Sequence, residues 1–245
     1  MIEIQNLSKH YGEKIALNNL NLKINGGEIF GLIGHNGAGK STTIKSLVSV
    51  INPTSGEIFI DKLNLKENRF ECKKKLYYIP DNPDMFLTMA PIEYWSLIAD
   101  VFELSSSEKE ERIAKYSKLF KMENELHSPI ESFSHGMRQK TFIIAALIAN
   151  PKIWIMDEPL TGLDPQAAFD LKSLMKEHTQ KGNTVLFSTH VLEVAEHLCD
   201  RIGILSKGNL IFVGTLDELR EKFDGDSLES IYLNIIKNID NESEE

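Results

Sequence analysis

The segment Gly34-His35-Asn36-Gly37-Ala38-Gly39-Lys40-Ser41 puts a lysine and a hydroxyl directly behind a glycine-rich turn. That spacing is the one required of a loop that grips phosphate. Phosphate oxygens must approach successive backbone N–H groups, which bulky side chains would block, so Gly37 and Gly39 supply permissive dihedrals. A helix beginning at Lys40 turns its first N–H groups, Ser41 and Thr42 included, and its positive dipole end toward the same oxygens. Lys40 brings a full charge near the β- and γ-phosphates of a nucleotide, and the Ser41 hydroxyl is a ligand for Mg²⁺. Gly34, Ala38, His35 and Asn36 are expected to contribute main chain. A second constellation is Ile153-Trp154-Ile155-Met156-Asp157-Glu158, an apolar run ending in two acids. In an open parallel sheet the carboxyl ends of strands line the ligand crevice. Asp157 is therefore expected in the inner or outer shell of a metal, and Glu158, pointing elsewhere, is expected to polarise an attacking water.

The elements that must hold these groups alternate between strand and helix. Residues 2–5, 19–24, 28–33 and 57–60 read as strands, separated by turn signals at Asn25-Gly26-Gly27 and Pro53-Thr54-Ser55-Gly56. Residues 40–50 read as the helix after the glycine loop. From about 82 to 140 the pattern becomes helical and charged. Residues 91–102 begin with proline and carry Ile92, Trp95, Leu97, Ile98 and Val101 on one broad side, and residues 108–121 continue the pattern. Alternation then returns with a strand at 153–156, a helix at 167–181, a strand at 184–187, a helix at 191–198 and a strand at 201–205. A hairpin turn at Lys207-Gly208-Asn209 leads into 210–213. The reading is α/β: a mainly parallel sheet with a phosphate-binding loop, an antiparallel β subdomain at the N-terminus and an inserted α-helical lobe. One domain is expected over 1–237, with 1–81 and 151–237 as core and about 82–150 as lobe. Residues 238–245 are expected to be an acidic, flexible tail. No internal repeat is evident.

Composition sets further bounds. The 245 residues are 42% hydrophobic and 26% charged, ordinary for a globular chain, with a formal net charge of −9. A basic nucleic-acid footprint is missing at whole-chain level, so no nucleic-acid partner is expected. The longest apolar stretches, such as 142–149, fall far short of a bilayer-spanning helix. Met1-Ile2-Glu3-Ile4-Gln5 carries no basic or apolar segment of a secretory signal. Cys72 and Cys199 have no metal-ligand spacing and read as reduced thiols in a cytosolic protein.

With these residues assembled, the chain resembles the ATP-binding cassette (ABC) family over nearly its whole length. Phe133-Ser134-His135-Gly136-Met137-Arg138-Gln139-Lys140 is similar to that family's signature motif, with Ser134 placed to cap an apolar, buried helix. The resemblance implies that Ser134, His135, Gly136 and Met137 meet a γ-phosphate held by a second subunit. It implies that Tyr11 stacks on adenine, that Gly162-Leu163-Asp164 crosses the dimer interface, and that His190 senses the γ-phosphate. His10, His127, His178 and His197 are read as structural. ATP and Mg²⁺ are the implied ligands, with Lys40, Glu158 and His190 catalytic and Ser41, Asp157 and Asp81 toward the metal.

Three departures bear on mechanism. The signature usually has glycine at His135 and glutamine at Met137, and this form resembles cassettes paired with drug- or peptide-exporting permeases. Asp81 stands where the family usually has a metal-ligating glutamine; aspartate keeps an oxygen donor but is one methylene shorter and adds charge. The implied function is the ATPase subunit of a transporter at the inner face of the cell membrane. It would work as a homodimer in the ATP-bound state, with membrane permease subunits on separate chains. The alternative is a non-transport ABC ATPase with an assembly or regulatory role. Met85, Phe86, Leu87 and Met89 either line a permease-docking surface or pack the core of the lobe.

Overall fold

A computed structural model describes residues 1–223, 225 and 227–241, with side chains described through 237. Two sheets share the chain. In the first, β1 (Ile2–Tyr11) pairs antiparallel with β2 (Lys14–Ile24) on one side and with β4 (Ser55–Ile60) on the other, and β5 (Leu63–Asn64) follows β4. Ile2, Ile4, Leu7, Leu20, Leu22, Ile58 and Ile60 form its buried face. The hairpin is longer than residues 2–5 and 19–24. Register shifts after Ile4, Leu7 and Lys9, with Asn6 and Asn19 at positive φ, break the strict alternation by which strands are recognised.

The second sheet has the order β10-β9-β3-β8-β7-β6. Its members are β3 (Ile29–Ile33), β6 (Leu76–Ile79), β7 (Ile153–Asp157), β8 (Thr184–Thr189), β9 (Arg201–Ser206) and β10 (Asn209–Gly214). All neighbours are parallel except the β9–β10 hairpin. Every residue of β3, β7 and β8 is buried, because this parallel sheet is covered on both faces. β6 is not evident in the sequence: its four apolar residues follow a lysine run and carry no alternation.

α1 (Lys40–Leu47) and the antiparallel sheet cover one face, through Ile44, Leu47, Leu17 and Ile155. A short α2 (Arg69–Lys73) leads into β6. α3 (Pro91–Val101), α4 (Ser106–Leu119) and α5 (His135–Ala149) make the helical lobe inserted between β6 and β7. α5 is buried from Thr141 to Ala149, and Trp95 of α3 donates its indole N–H to Thr141 O at 2.9 Å, fixing α3 across it. α6 (Pro165–Gln180) and α7 (Leu192–Leu198) complete the crossovers, followed by a short α8 (Leu216–Lys222). α9 (Leu228–Asn241) lays Leu228, Ile231 and Ile235 over Ile33, Ile202 and Ile204. The expected tail therefore starts inside a helix, and residues 242–245 lie outside the described residues.

The strand order decides where chemistry can occur. Ile33 pairs with Thr189 and Asp157 with Ser188, so β3, β7 and β8 end side by side. The glycine loop, Glu158 and His190 leave from those three adjacent ends.

Candidate functional site

Residues 34–39 form a tight loop joining β3 to α1. Gly39, the residue preceding the helix, has φ +116, and a Cβ there would stand 2.9 Å from Leu17 Cδ2 and 3.0 Å from Ala16 O. Only glycine meets both demands. Gly34 is equally confined, since a Cβ would stand 2.6 Å from Leu205 O. The loop is pinned from outside: Gly208 N donates to Ala38 O at 2.9 Å. Among the described residues no side chain caps α1, which leaves its first N–H groups for a ligand. Lys40 is buried, and its ammonium donates to Gly34 O at 2.7 Å and His35 O at 3.4 Å.

Glu158 follows β7 with φ +49, a left-handed turn that swings its side chain away from that of Asp157. Its carboxylate is suspended between two basic side chains: Oε1 lies 3.5 Å from Lys40 Nζ and Oε2 3.0 Å from His190 Nδ1. Ser188 organises both acids. Its hydroxyl donates to Asp157 Oδ1 at 2.6 Å and accepts the Glu158 N–H at 3.0 Å. Sequence reasoning does not single out Ser188; its one signal is a hydroxyl at the end of the strand beside Asp157. Burial pushes the Asp157 carboxyl above the ordinary aspartate range, against the pull of the Ser188 hydrogen bond and the nearby Ser41 hydroxyl, and the nearby Asp81 and Glu158 charges push it further.

Asp157 Oδ2 is buried and has no hydrogen-bond partner among the described residues. An orphaned acceptor, the adjacent Ser41 hydroxyl and the nearby Asp81 carboxylate make an all-oxygen donor set. That set suits a hard cation which takes its remaining ligands from phosphate and water. Among the described residues no cluster of three or more His, Cys, Asp or Glu side chains could hold a metal alone.

A cavity of about 440 Å³ gathers Tyr11, His35, Asn36, Gly37, Gly39, Lys40, Ser41, Thr42, Asp81 and Glu158 on one wall or another. Lys14 and Ala16 also line it, neither of them expected. Tyr11 is half exposed at its rim, with Lys9 Nζ 4.9 Å from the ring centroid. Ser134, His135, Gly136, Met137 and Asp164 are not among the lining residues. They sit at the starts of α5 and α6, with Ser134 and His135 exposed; Ser134 caps α5 by accepting the Met137 N–H at 3.3 Å.

A family profile described as ABC transporter matches residues 17–161. The chain belongs to the ABC transporter family of ATP-binding proteins. Among curated relatives, this ABC ATPase is 36% identical to the ABC-type transporter ATP-binding protein EcsA of Bacillus subtilis (strain 168), over 97% of each chain. It is 33% identical to the lantibiotic transport ATP-binding protein SrtF of Streptococcus pyogenes, over 96% of this chain and 97% of that one. A solved ATP-binding subunit of an ABC transporter superposes with a TM-score of 0.91 at 36% identity, covering 96% and 99% of the two chains. The dimeric post-hydrolysis cassette MJ0796, bound to ADP and Pi, gives 0.78 at 26% identity, covering 88% and 99%. Among the described residues, no helix of this ABC ATPase is long and apolar enough to cross a membrane.

Proposed function

We propose that this chain is the ATP-hydrolysing subunit of an exporter, driving membrane permease subunits carried on other chains. The observation that supports hydrolysis is Glu158, held at the cavity by Lys40 and His190. The exporter reading draws on the S-x-G-M-R-Q signature and on relatives whose names include lantibiotic transport.

In this reading the loop's N–H groups and Lys40 hold the β- and γ-phosphates, and Tyr11 supports the adenine. Lys40 must leave the Gly34 and His35 carbonyls, and Glu158, to meet the phosphates. Its departure leaves the Glu158 carboxylate held by His190, oriented to accept a hydrogen bond from water in line with the γ-phosphorus. Ser41 and Asp157 would hold Mg²⁺, with Asp81 facing the same space; when bound, the ion neutralises charge on the phosphate oxygens. Ser134, His135, Gly136, Met137 and Asp164 lie outside the chain's own cavity, which fits a second copy meeting them head to tail in a two-fold dimer. Phosphate then meets helix N-termini from both copies, which stabilise charge in the transition state.

The test is ATP turnover by the native chain against Glu158→Gln. Equal rates would remove Glu158 from its role. Recovery of the chain from native membranes without an integral membrane protein would count against the transporter reading.

A further inference from the structure

Tyr11 stands at the tip of the β1–β2 hairpin, where little holds its ring. On one side the ladder between β1 and β4 ends at Ser8, paired with Ser55. On the other, the register between β1 and β2 shifts between Lys9 and His10 before Tyr11 meets Lys14. Gly12 then turns the chain at φ +59. The ring is 50% exposed and packs into none of the hydrophobic clusters. Among the described residues it stacks on no other ring. An aromatic side chain so placed keeps rotamer freedom that a ligand must remove on binding.

Lys9, two residues earlier and half-buried, supplies the missing restraint. Its ammonium donates to Asn52 O at 2.7 Å and lies 4.9 Å from the Tyr11 ring centroid, within cation–π range. The turn that provides the carbonyl is itself tied to β1. Thr54 N donates to Ser8 O at 2.8 Å, and Thr54 Oγ1 accepts the His10 N–H at 3.0 Å. Tyr11 lines the phosphate cavity and Lys9 does not. The ammonium therefore backs the ring from outside and leaves its cavity side open.

We propose that Lys9 is a positioning residue for the base: anchored on Asn52 O, its ammonium holds the Tyr11 ring in the orientation that receives adenine, so the platform is set before the nucleotide arrives. The proposal rests on the reading of Tyr11 as the support for adenine and adds to it what fixes that support. Lys9 has no part in holding phosphate here, so its effect is confined to ligands that carry a base.

Calorimetric titration of the full chain with ADP and with inorganic tripolyphosphate separates base from phosphate, beside thermal denaturation without ligand. Lys9→Met keeps the alkyl stem and removes the charge. We expect it to weaken ADP about two- to fivefold, the size expected of an exposed cation–π contact, and to bind tripolyphosphate as the native chain does. Lys9→Arg should recover ADP affinity. If Lys9→Met fails to fold, Lys9→Gln serves, since it keeps an N–H donor and removes the charge; the same selective loss is expected. Tyr11→Ala should weaken ADP by roughly tenfold or more, as loss of a stacked base does. Native ADP affinity in a folded Lys9 variant without the charge would overturn the proposal. So would a loss shared equally by tripolyphosphate, or one that arginine does not recover, since either marks a tie that only holds the hairpin. A Tyr11→Ala chain that binds ADP as tightly as native would instead sink the base-platform reading, and this inference with it.

Discussion

His190 Nδ1 stands 3.0 Å from Glu158 Oε2, joining the end of β8 to the first residue after β7. The contact fixes a carboxylate that the positive φ of Glu158 has already turned out of the sheet. Removing the imidazole should leave the carboxylate present but unheld. His190→Ala is therefore expected to lower kcat by at least ~tenfold, short of the roughly hundredfold or greater loss from Glu158→Gln, since misplacement costs less than removal of the base. Fluorescent-nucleotide affinity should change little in either. Steady-state turnover beside a binding titration separates these effects, and an unchanged kcat in His190→Ala would deny the histidine its role.

The glycines of the phosphate loop are not equivalent. Gly37 has φ +85 but open space where a Cβ would lie, whereas Gly39 combines φ +116 with Leu17 and Ala16 atoms at 2.9 and 3.0 Å from an added methyl group. Gly37→Ala should cost backbone strain alone, about 1–2 kcal/mol. For a chain of this size that is a fall in Tm of roughly 2–8 °C. Gly39→Ala adds a steric conflict with the β2 backbone and should fall further. Thermal denaturation without nucleotide gives the order; a larger loss in Gly37→Ala would contradict it.

How much of this is legible in the sequence follows from distance along the chain. The phosphate loop can be read because its donors are contiguous and its spacing is nearly a geometry in itself. The apolar strand ending at Asp157 and Glu158 announces two acids at a sheet edge. Nothing local says that residue 190 reaches residue 158; that depends on β8 lying between β3 and β7, a fact of sheet order. The family resemblance supplies His190, but not Ser188, which orients both acids. Bulges conceal the outer halves of β1 and β2, and the acidity of the chain's end hides α9. The segment from Met85 to Met89 divides: Leu87 and Met89 pack against the core of the lobe, while Met85 and Phe86 are exposed.

Stability should depend on pH through His178. Its ring stacks on Trp154 with centroids 3.8 Å apart, and burial lowers its pKa from 6.5 to about 4. The unfolded chain therefore binds the proton more readily than the folded one between those values. The folded state is favoured fully above pH 6.5, and that advantage is lost as pH falls toward 4. Tm should decline across this window, and His178→Phe, which keeps a stacked ring without a titrating nitrogen, should flatten the decline. A variant with the native slope would move the cause elsewhere.

Phe86 offers the last test, of what the lobe presents to a partner. It is 42% exposed at φ +55, and its ring stacks on Tyr94 with centroids 5.0 Å apart. Aspartate tolerates that backbone region better than most residues, so Phe86→Asp adds a charge without added strain. The lost stacking should cost about 0.5–1.5 kcal/mol, too little to unfold the chain. If Met85 and Phe86 form a docking surface, the isolated variant should turn over ATP within about twofold of native, because the change is remote from the phosphate loop. The same variant should fail to recover the membrane partner and lose coupled transport. Should the isolated chain unfold instead, Phe86 belongs to the core of the lobe and the surface has no claim on a permease.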